Sequence, residues 1–586
     1  MGMLFSVATF FLFLIFVALY SYRKTKGVSE SGVEGFFLAG RGLSGYFIAG
    51  SLLLSNLSAE QLVGLNGNAY RFDISGMAWE STAAVATIMM AVFFLPRFLR
   101  RGITTMPQFL EERFDSATRR TVSVMLLVGY AVMANPCSLY LGAITMNEMF
   151  DVQKIFHLPD WSAIGLLALV MGAVGGLYAT LGGLKAVAIS DTISGLILLV
   201  AAMLIPVLGL IALGEGSFLA GGKALLSHPE QLNAIGSASS SVPFSTVFTG
   251  MLCANMFYWC TNQMIIQRAL GAKSLAESQK GVLLAGSIKL LVPLAMVLPG
   301  LIAFNLFGPV FTHVDYAYPA LVKAVIPWWL IGMFAAAIFG TVISHFNSVV
   351  NSSATLFVID LYAPLTGCQD EKKLVYVGKI TSVVVSLISI VIAPLLLWSP
   401  NGIFDLMRRF TGFYSIPIIT IVLVGFLTRR VPALAAKWVL GFHVIAYGLY
   451  TFAGGEKWIS LHFIHVMGIL FLIETAMMLS IGKMAPGKRY VPDAQLASIP
   501  MEKWRYAHCV SVIMMAALIS IFIALSPLGL ANPEGLPASF YPLLGLVWAV
   551  ALILIVGLAR HRRRRQERVL LNENSGEECV RDRVKS

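Results

Sequence analysis

Residues 51–64 read SLLLSNLSAEQLVG, which sets Asn56, Ser58, Glu60 and Gln61 into an otherwise apolar run. Without any covalent step, such groups can do two things: hydrogen-bond a polar solute that passes them, and offer oxygen to a hard cation. Asn56 and Gln61 are five residues apart, about 500° around a regular helix, so an unbroken helix would point them in different directions. An unwinding near 55–59 lets both face one cavity and frees backbone carbonyls that suit Na⁺. A second interrupted run, ANMFYWCTNQMIIQR, places Asn255, Asn262 and Gln263 among aromatic residues. A third, AAAIFGTVISHFNSVVNSSATLF, spaces Thr341, Ser344, Ser348, Ser352 and Thr355 by three, four, four and three, which puts the hydroxyls on one helix face. That stripe either permits close helix packing or completes a cation site beside freed carbonyls. Glu80, Asp191, Lys289 and Arg408 also fall inside apolar runs and are site candidates for that reason. The plainer alternatives are a nearby carboxylate partner for Lys289, and Asp405, three residues earlier, as the partner of Arg408.

The elements that must position these groups are membrane helices. The chain has 586 residues, 57% hydrophobic and 12% charged, against roughly 25% charged in a soluble domain. Runs of about 20 apolar residues number about fifteen. Residues 3–22 read as an uncleaved anchor, since Arg23, Lys24 and Lys26 follow the run and no small-residue cleavage site does. The net charge of +12 lies in short clusters between runs, so it reports topology and gives no support to nucleic-acid binding. With the N-terminus outside, Arg97/Arg100/Arg101, Arg268/Lys273/Lys280, Lys372/Lys373, Arg429/Arg430, Lys483/Lys488/Arg489 and the tail HRRRRQER all fall inside. The C-terminus is then cytoplasmic. Six cysteines show no CxxC pair and no ligand spacing, which suggests neither a disulfide framework nor a zinc site. No phosphate loop and no HExxH or Ser/His/Asp arrangement is present, so neither an ATP-driven pump nor an enzyme is expected. No cofactor is expected beyond a coupling ion.

The two interrupted helices open consecutive blocks of five spans. That is the mark of an inverted-repeat transporter with its site at the bilayer midplane.

The words FFLAGRGLSGYFIAGSLLLSNLSAEQLVGLNG, RGITTMPQFLEERF, GGLKAVAISD, FYWCTNQMIIQRALGAKSLAESQKG and NSSATLFVIDLY resemble the sodium/solute symporter family, in its bacterial sodium/glucose cotransporter branch. The resemblance extends from about residue 35 to about 440 and implies an all-α, leucine-transporter-like fold. Its two inverted five-helix repeats would span 45–214 and 244–427, joined by an extracytoplasmic loop at 215–243. The anchor and inner loop (1–44), four further helices (428–560) and a basic tail (561–586) lie outside that core. One of those four helices is an addition to the usual family pattern. The implied activity is symport of a sugar or sugar-like solute with Na⁺ across the bacterial plasma membrane.

Carried over by position, the resemblance places the solute among Asn56, Gln61, Glu80, Asn255 and Lys289, with Tyr140 on the pocket wall. Tyr258, with Trp259 beside it, would be the inner gate, and Leu65, Trp79 and Phe404 the outer one. Na⁺ would meet carbonyls at Leu54, Leu57 and Thr341 and hydroxyls at Ser344 and the next position, and Asp191 would lie on the ion release path. Three positions depart from that pattern. Ala83 replaces a serine near Glu80, and Arg408 replaces an amide, which turns the pocket toward a sugar acid. His345 replaces the second hydroxyl and is a nitrogen ligand poorly matched to an alkali cation. That leaves protons as the alternative coupling ion, and an uncoupled sensor or channel as the rival class.

Overall fold

The computed structural model describes residues 5–12, 15, 41–56, 58–103, 105–181, 184–238, 240–399, 402–491 and 499–585, without the side chains of 54, 55, 177–197, 456 and 563–585. Most of the 3–22 run, Leu57 and the Asp191 side chain therefore lie outside the described residues.

The described chain is helical. In order it forms α1 (Gly45–Asn56), α2 (Asn66–Arg71), α3 (Ile74–Arg100), α4 (Ser116–Phe150), α5 (Asp160–Leu181) and α6 (Leu184–Leu213). There follow α7 (Gly250–Cys260), α8 (Gln263–Leu270), α9 (Leu275–Lys289), α10 (Val292–Phe307), α11 (Ile331–Thr355), α12 (Glu371–Trp398) and α13 (Ile403–Leu427). The last four are α14 (Ala433–Phe452), α15 (Phe463–Met484), α16 (Ala507–Ala524) and α17 (Phe540–Lys585).

Among the described residues nine helices are long and apolar enough to cross a membrane, or eleven if two bent pairs are each one span. The sequence count of about fifteen is larger partly because it scores apolar runs without regard to breaks. The first core run is split into α1 and α2, and its counterpart into α7 and α8, each piece shorter than a bilayer crossing. Both breaks fall where polar residues interrupt the run. Asn56 ends α1, and the chain resumes as a π-helical turn, Glu60–Leu65. In the second run Asn262 caps α8, its side chain accepting from the Met264 amide. Short polar side chains compete for backbone groups in this way and so favour helix ends.

Close approach ties the first broken helix to α9. A Cβ at Gly45 would stand 2.9 Å from the Glu277 carbonyl oxygen, and one at Gly281 2.7 Å from the Ile48 Cβ, so α1 and α9 cross nearly backbone to backbone. A single bridge between Leu43 and Ala272 ties the approach to α1 to the segment after α8. Beside the start of α4, Asp360 sits on a π-helical turn that continues α11. It accepts from Arg119 Nε at 2.8 Å and from Thr105 Oγ1 at 2.8 Å on one oxygen, and from Ser123 Oγ at 3.1 Å on the other. A buried carboxylate needs such a full set of donors to be tolerated.

Candidate functional site

Beside the first break lies a cavity of about 50 Å³ lined by Glu60, Gln61, Tyr130, Met133, Tyr258, Asn262, His345, Met407, Arg408, Thr411 and Tyr414. It has room for a few water molecules, far less than the roughly 300 Å³ of a small-ligand pocket. Gln61 reaches it because the π-helical turn widens the helix by one residue, a distortion frequent at functional positions. Gln61 and Glu80 then share one partner: Lys289 Nζ donates to Gln61 Oε1 at 3.2 Å and forms an ion pair with the Glu80 carboxylate. All three are buried. Lys289 thus has the carboxylate partner that membrane depth demands, and that partner is itself a site candidate. Asn56 stands at the other edge, donating through Nδ2 to the Tyr258 hydroxyl at 3.0 Å.

Arg408 is not held by Asp405. The Asp405 carboxylate pairs instead with Arg409, at 2.6 Å between Oδ2 and Nε, one full helical turn along α13. The Arg408 guanidinium lies 4.6 Å from the Trp79 ring centroid and 4.8 Å from that of Phe404, and its Nε has no hydrogen-bond partner among the described residues. Two outer-gate candidates therefore sandwich a cation at the cavity wall. Leu65, the third, is fully buried and packs under Gly76.

Other candidates are placed differently. Asn255 turns toward α3, donating to Thr82 Oγ1 at 2.8 Å and to the Trp79 carbonyl at 3.3 Å. Trp259 is buried behind Tyr258, the rings edge to face at 5.9 Å. Tyr140 does not line the cavity; its hydroxyl donates to Asp315 Oδ2, 3.5 Å away, in the connection between α10 and α11. Of the cation candidates, Leu57 and the Leu54 side chain lie outside the description, while Thr341, Ser344 and His345 are buried on one length of α11. The Thr341 hydroxyl donates to the Ala337 carbonyl at 2.8 Å, leaving its lone pairs outward. His345 Nε2 faces Glu60 Oε1 at 3.5 Å.

The sequence singles out Glu60 and Asn262 as polar interruptions without placing them in the site, and it gives no role to Tyr130, Tyr414 or Asp315. Glu60 had a signal, being adjacent to Gln61 in the same break. Tyr130 had none, since an aromatic residue in an apolar helix is ordinarily packing.

Broken helices facing each other across one cavity, within an all-helical membrane chain, define a secondary transporter of the leucine-transporter-like fold. In the comparison with solved structures, a Na⁺-coupled sialic acid symporter in a substrate-bound outward-open state matches with a TM-score of 0.71 at 20% identity, over 83% of this chain and 99% of that one. The family model for the sodium:solute symporter family matches residues 36–441, and the chain belongs to that family. It is a transporter, not an enzyme. An uncharacterised symporter of Escherichia coli K12, YidK, is 39% identical over 95% of this chain and 96% of its own. The sodium/glucose cotransporter of Vibrio parahaemolyticus is 30% identical over 72% of this chain and 80% of its own.

Proposed function

We propose that this symporter takes up a sugar or sugar acid with Na⁺ across the bacterial plasma membrane, N-terminus outside and C-terminus cytoplasmic, by alternating access. The observation that carries the reading is the convergence of Gln61, the Glu80–Lys289 pair and the Asn56–Tyr258 contact beside the cavity into which Arg408 opens. Amide and carboxylate groups suit vicinal hydroxyls, since each can engage two at once. An arginine without a carboxylate partner on its own helix suits an acidic group on the solute, which it can grip bidentately. A relative supports the solute class, the sodium/glucose cotransporter. Cation and solute would be coupled through a shared preference for one conformation, because a ligand shifts an equilibrium only by its differential affinity.

A second reading, proton coupling, is favoured by Glu60 and His345 standing face to face where the cation is expected. One experiment separates these: uptake of labelled hexoses and hexuronates into proteoliposomes, with and without a sodium gradient at clamped pH. The proposal expects sodium-driven hexuronate uptake that Arg408→Gln reduces at least about tenfold, the loss of one charge-assisted contact. Exclusive uptake of a neutral hexose, unchanged in Arg408→Gln, overturns the sugar-acid reading. Uptake indifferent to sodium but driven by a pH gradient transfers the coupling to protons.

A further inference from the structure

The ends of α13, α14 and α15 that the basic loops mark as cytoplasmic enclose a concavity of about 580 Å³, lined by Thr428, Arg429, Arg430, Leu479, Lys483 and Arg489. The concavity is built by pairing of the two loops that carry the cations. The Gly487 amide donates to the Arg430 carbonyl and the Tyr490 amide to the Arg429 carbonyl, each at 2.8 Å, so the segment after α15 is fastened along the α13–α14 connection. Beneath them, Arg113 donates to the Val431 carbonyl at 3.1 Å and the Thr428 carbonyl at 3.2 Å, which fixes the floor. Gly482 lets α15 close in, since a Cβ there would stand 2.8 Å from Val431 Cγ2. Four cations are thus held around one opening. Among the described residues no carboxylate forms an ion pair with any of them, whereas nearby Lys437 is paired with Asp115.

Topology alone asks only that such loops be basic; it does not ask that their charges surround one recess. One turn or less toward the apolar lengths of α13 and α15, Leu427 and Leu479 are 71% and 42% exposed. The recess therefore has cations at the helix ends and exposed apolar side chains on the membrane side of them. From this arrangement we infer that Arg429, Arg430, Lys483 and Arg489 form a binding site for the phosphate of an anionic phospholipid from the cytoplasmic leaflet. Arginine matches phosphate oxygens bidentately and lysine adds a point charge. Basic recesses between transmembrane helices on this side are the expected seat of such headgroups. The acyl chains would run along the Leu427 and Leu479 flank. A bound lipid would cross-brace three helix ends, one of them the inner end of α13, whose outer half carries Phe404 and Arg408.

The test uses the full chain in nanodiscs of phosphatidylcholine and phosphatidylglycerol at equal mole fraction, with retained lipid counted by native mass spectrometry after release. The native protein should retain phosphatidylglycerol preferentially. Removing one cation should lower that retention about fivefold, the effect of about 1 kcal/mol per basic residue at a membrane surface, and Arg429→Gln with Arg489→Gln should abolish the preference. The control pair Lys372→Gln and Lys373→Gln removes equal charge from another inner loop and should leave it intact. If the double Gln variant fails to fold, Arg429→Lys with Arg489→Lys keeps the loop charge but not the bidentate grip, and should still lower retention. Equal retention of the two lipids, or no fall in either variant pair, overturns the inference. Displacement of the lipid by millimolar inorganic phosphate would make this a free-anion site and overturn the assignment to lipid.

Discussion

Lys289 is the residue on which the proposed solute site depends most directly, because it bridges Gln61 and Glu80 and all three are buried. Removing one partner of a buried pair strands the other charge at a cost of about 3–5 kcal/mol, whereas replacing both can be nearly neutral. Glu80→Gln should therefore lower the thermal unfolding midpoint in detergent substantially, and adding Lys289→Met should recover part of the loss. A double variant no more stable than the single one would remove the pair from the account of this site. The sequence gives both residues as intramembrane charges but cannot pair them, since 209 positions separate them along the chain. Arg408 shows the opposite limit. Asp405 is within reach of both Arg408 and Arg409 by helical spacing, and the choice of Arg409 becomes visible only when Trp79 and Phe404 take the neighbouring guanidinium between their rings.

At the scale of elements, α13 is gripped from outside the core. His443 on α14 meets the Gly412 carbonyl at 3.1 Å through Nε2 and Glu474 of α15 at 2.5 Å through Nδ1, and all three groups are buried. Tyr447 donates to the Arg409 carbonyl at 3.0 Å, one turn beyond Asp405. Gly412 admits this contact because a Cβ there would collide with the Tyr447 hydroxyl and with Met467. Gly412→Ala should cost about 1–3 kcal/mol through overpacking, read as a lower unfolding midpoint, and should weaken solute uptake by displacing Arg408 four residues away. An unchanged midpoint would mean that α13 is not docked there. The two helix breaks were legible in the sequence because polar residues at a spacing unlike that of a helix face cannot otherwise share a cavity. The grip on α13 was not, since His443 and Glu474 are single residues on separate helices with no common spacing to link them.

For the whole molecule, the proposed alternating access requires an outer cover that can open, and with the proposed orientation Asp315 lies in it. The connection between α10 and α11 brings its carboxylate beneath Tyr140 and the first amide of α13, Ile403 N, at 3.5 and 3.4 Å, while Oδ1 has no hydrogen-bond partner among the described residues. Burial pushes this carboxyl up to about 7. The sign follows from which form the closed cover prefers. A carboxyl exposed in an open cover titrates near about 4, so closure carries no penalty below that pH and loses stability as external pH rises from there through about 7. Hydrogen exchange at the Ile403 amide, corrected for its intrinsic pH dependence, should speed up between about pH 4 and 7 and level off above that in the native protein, and stay level throughout in Asp315→Asn. Parallel profiles in the two proteins would show that the cover does not sense this proton.

The hydroxyl stripe on α11 carries one more consequence. Thr341, Ser348, Ser352 and Thr355 each give their hydrogen to the carbonyl one turn earlier, at 2.7 to 2.8 Å. Their hydrogens are thereby committed inside the helix, and some of the oxygens turned outward are already taken: Arg268 donates to Ser348 Oγ, and Gln267 Nε2 to Thr355 Oγ1 at 3.3 Å. The stretch from Ser348 to Thr355 therefore works as a latch, in which oxygens that could have received a mobile cation hold a fixed one. It fastens α8, the second half of the second broken helix, to α11, and the guanidinium would repel a cation from that stretch.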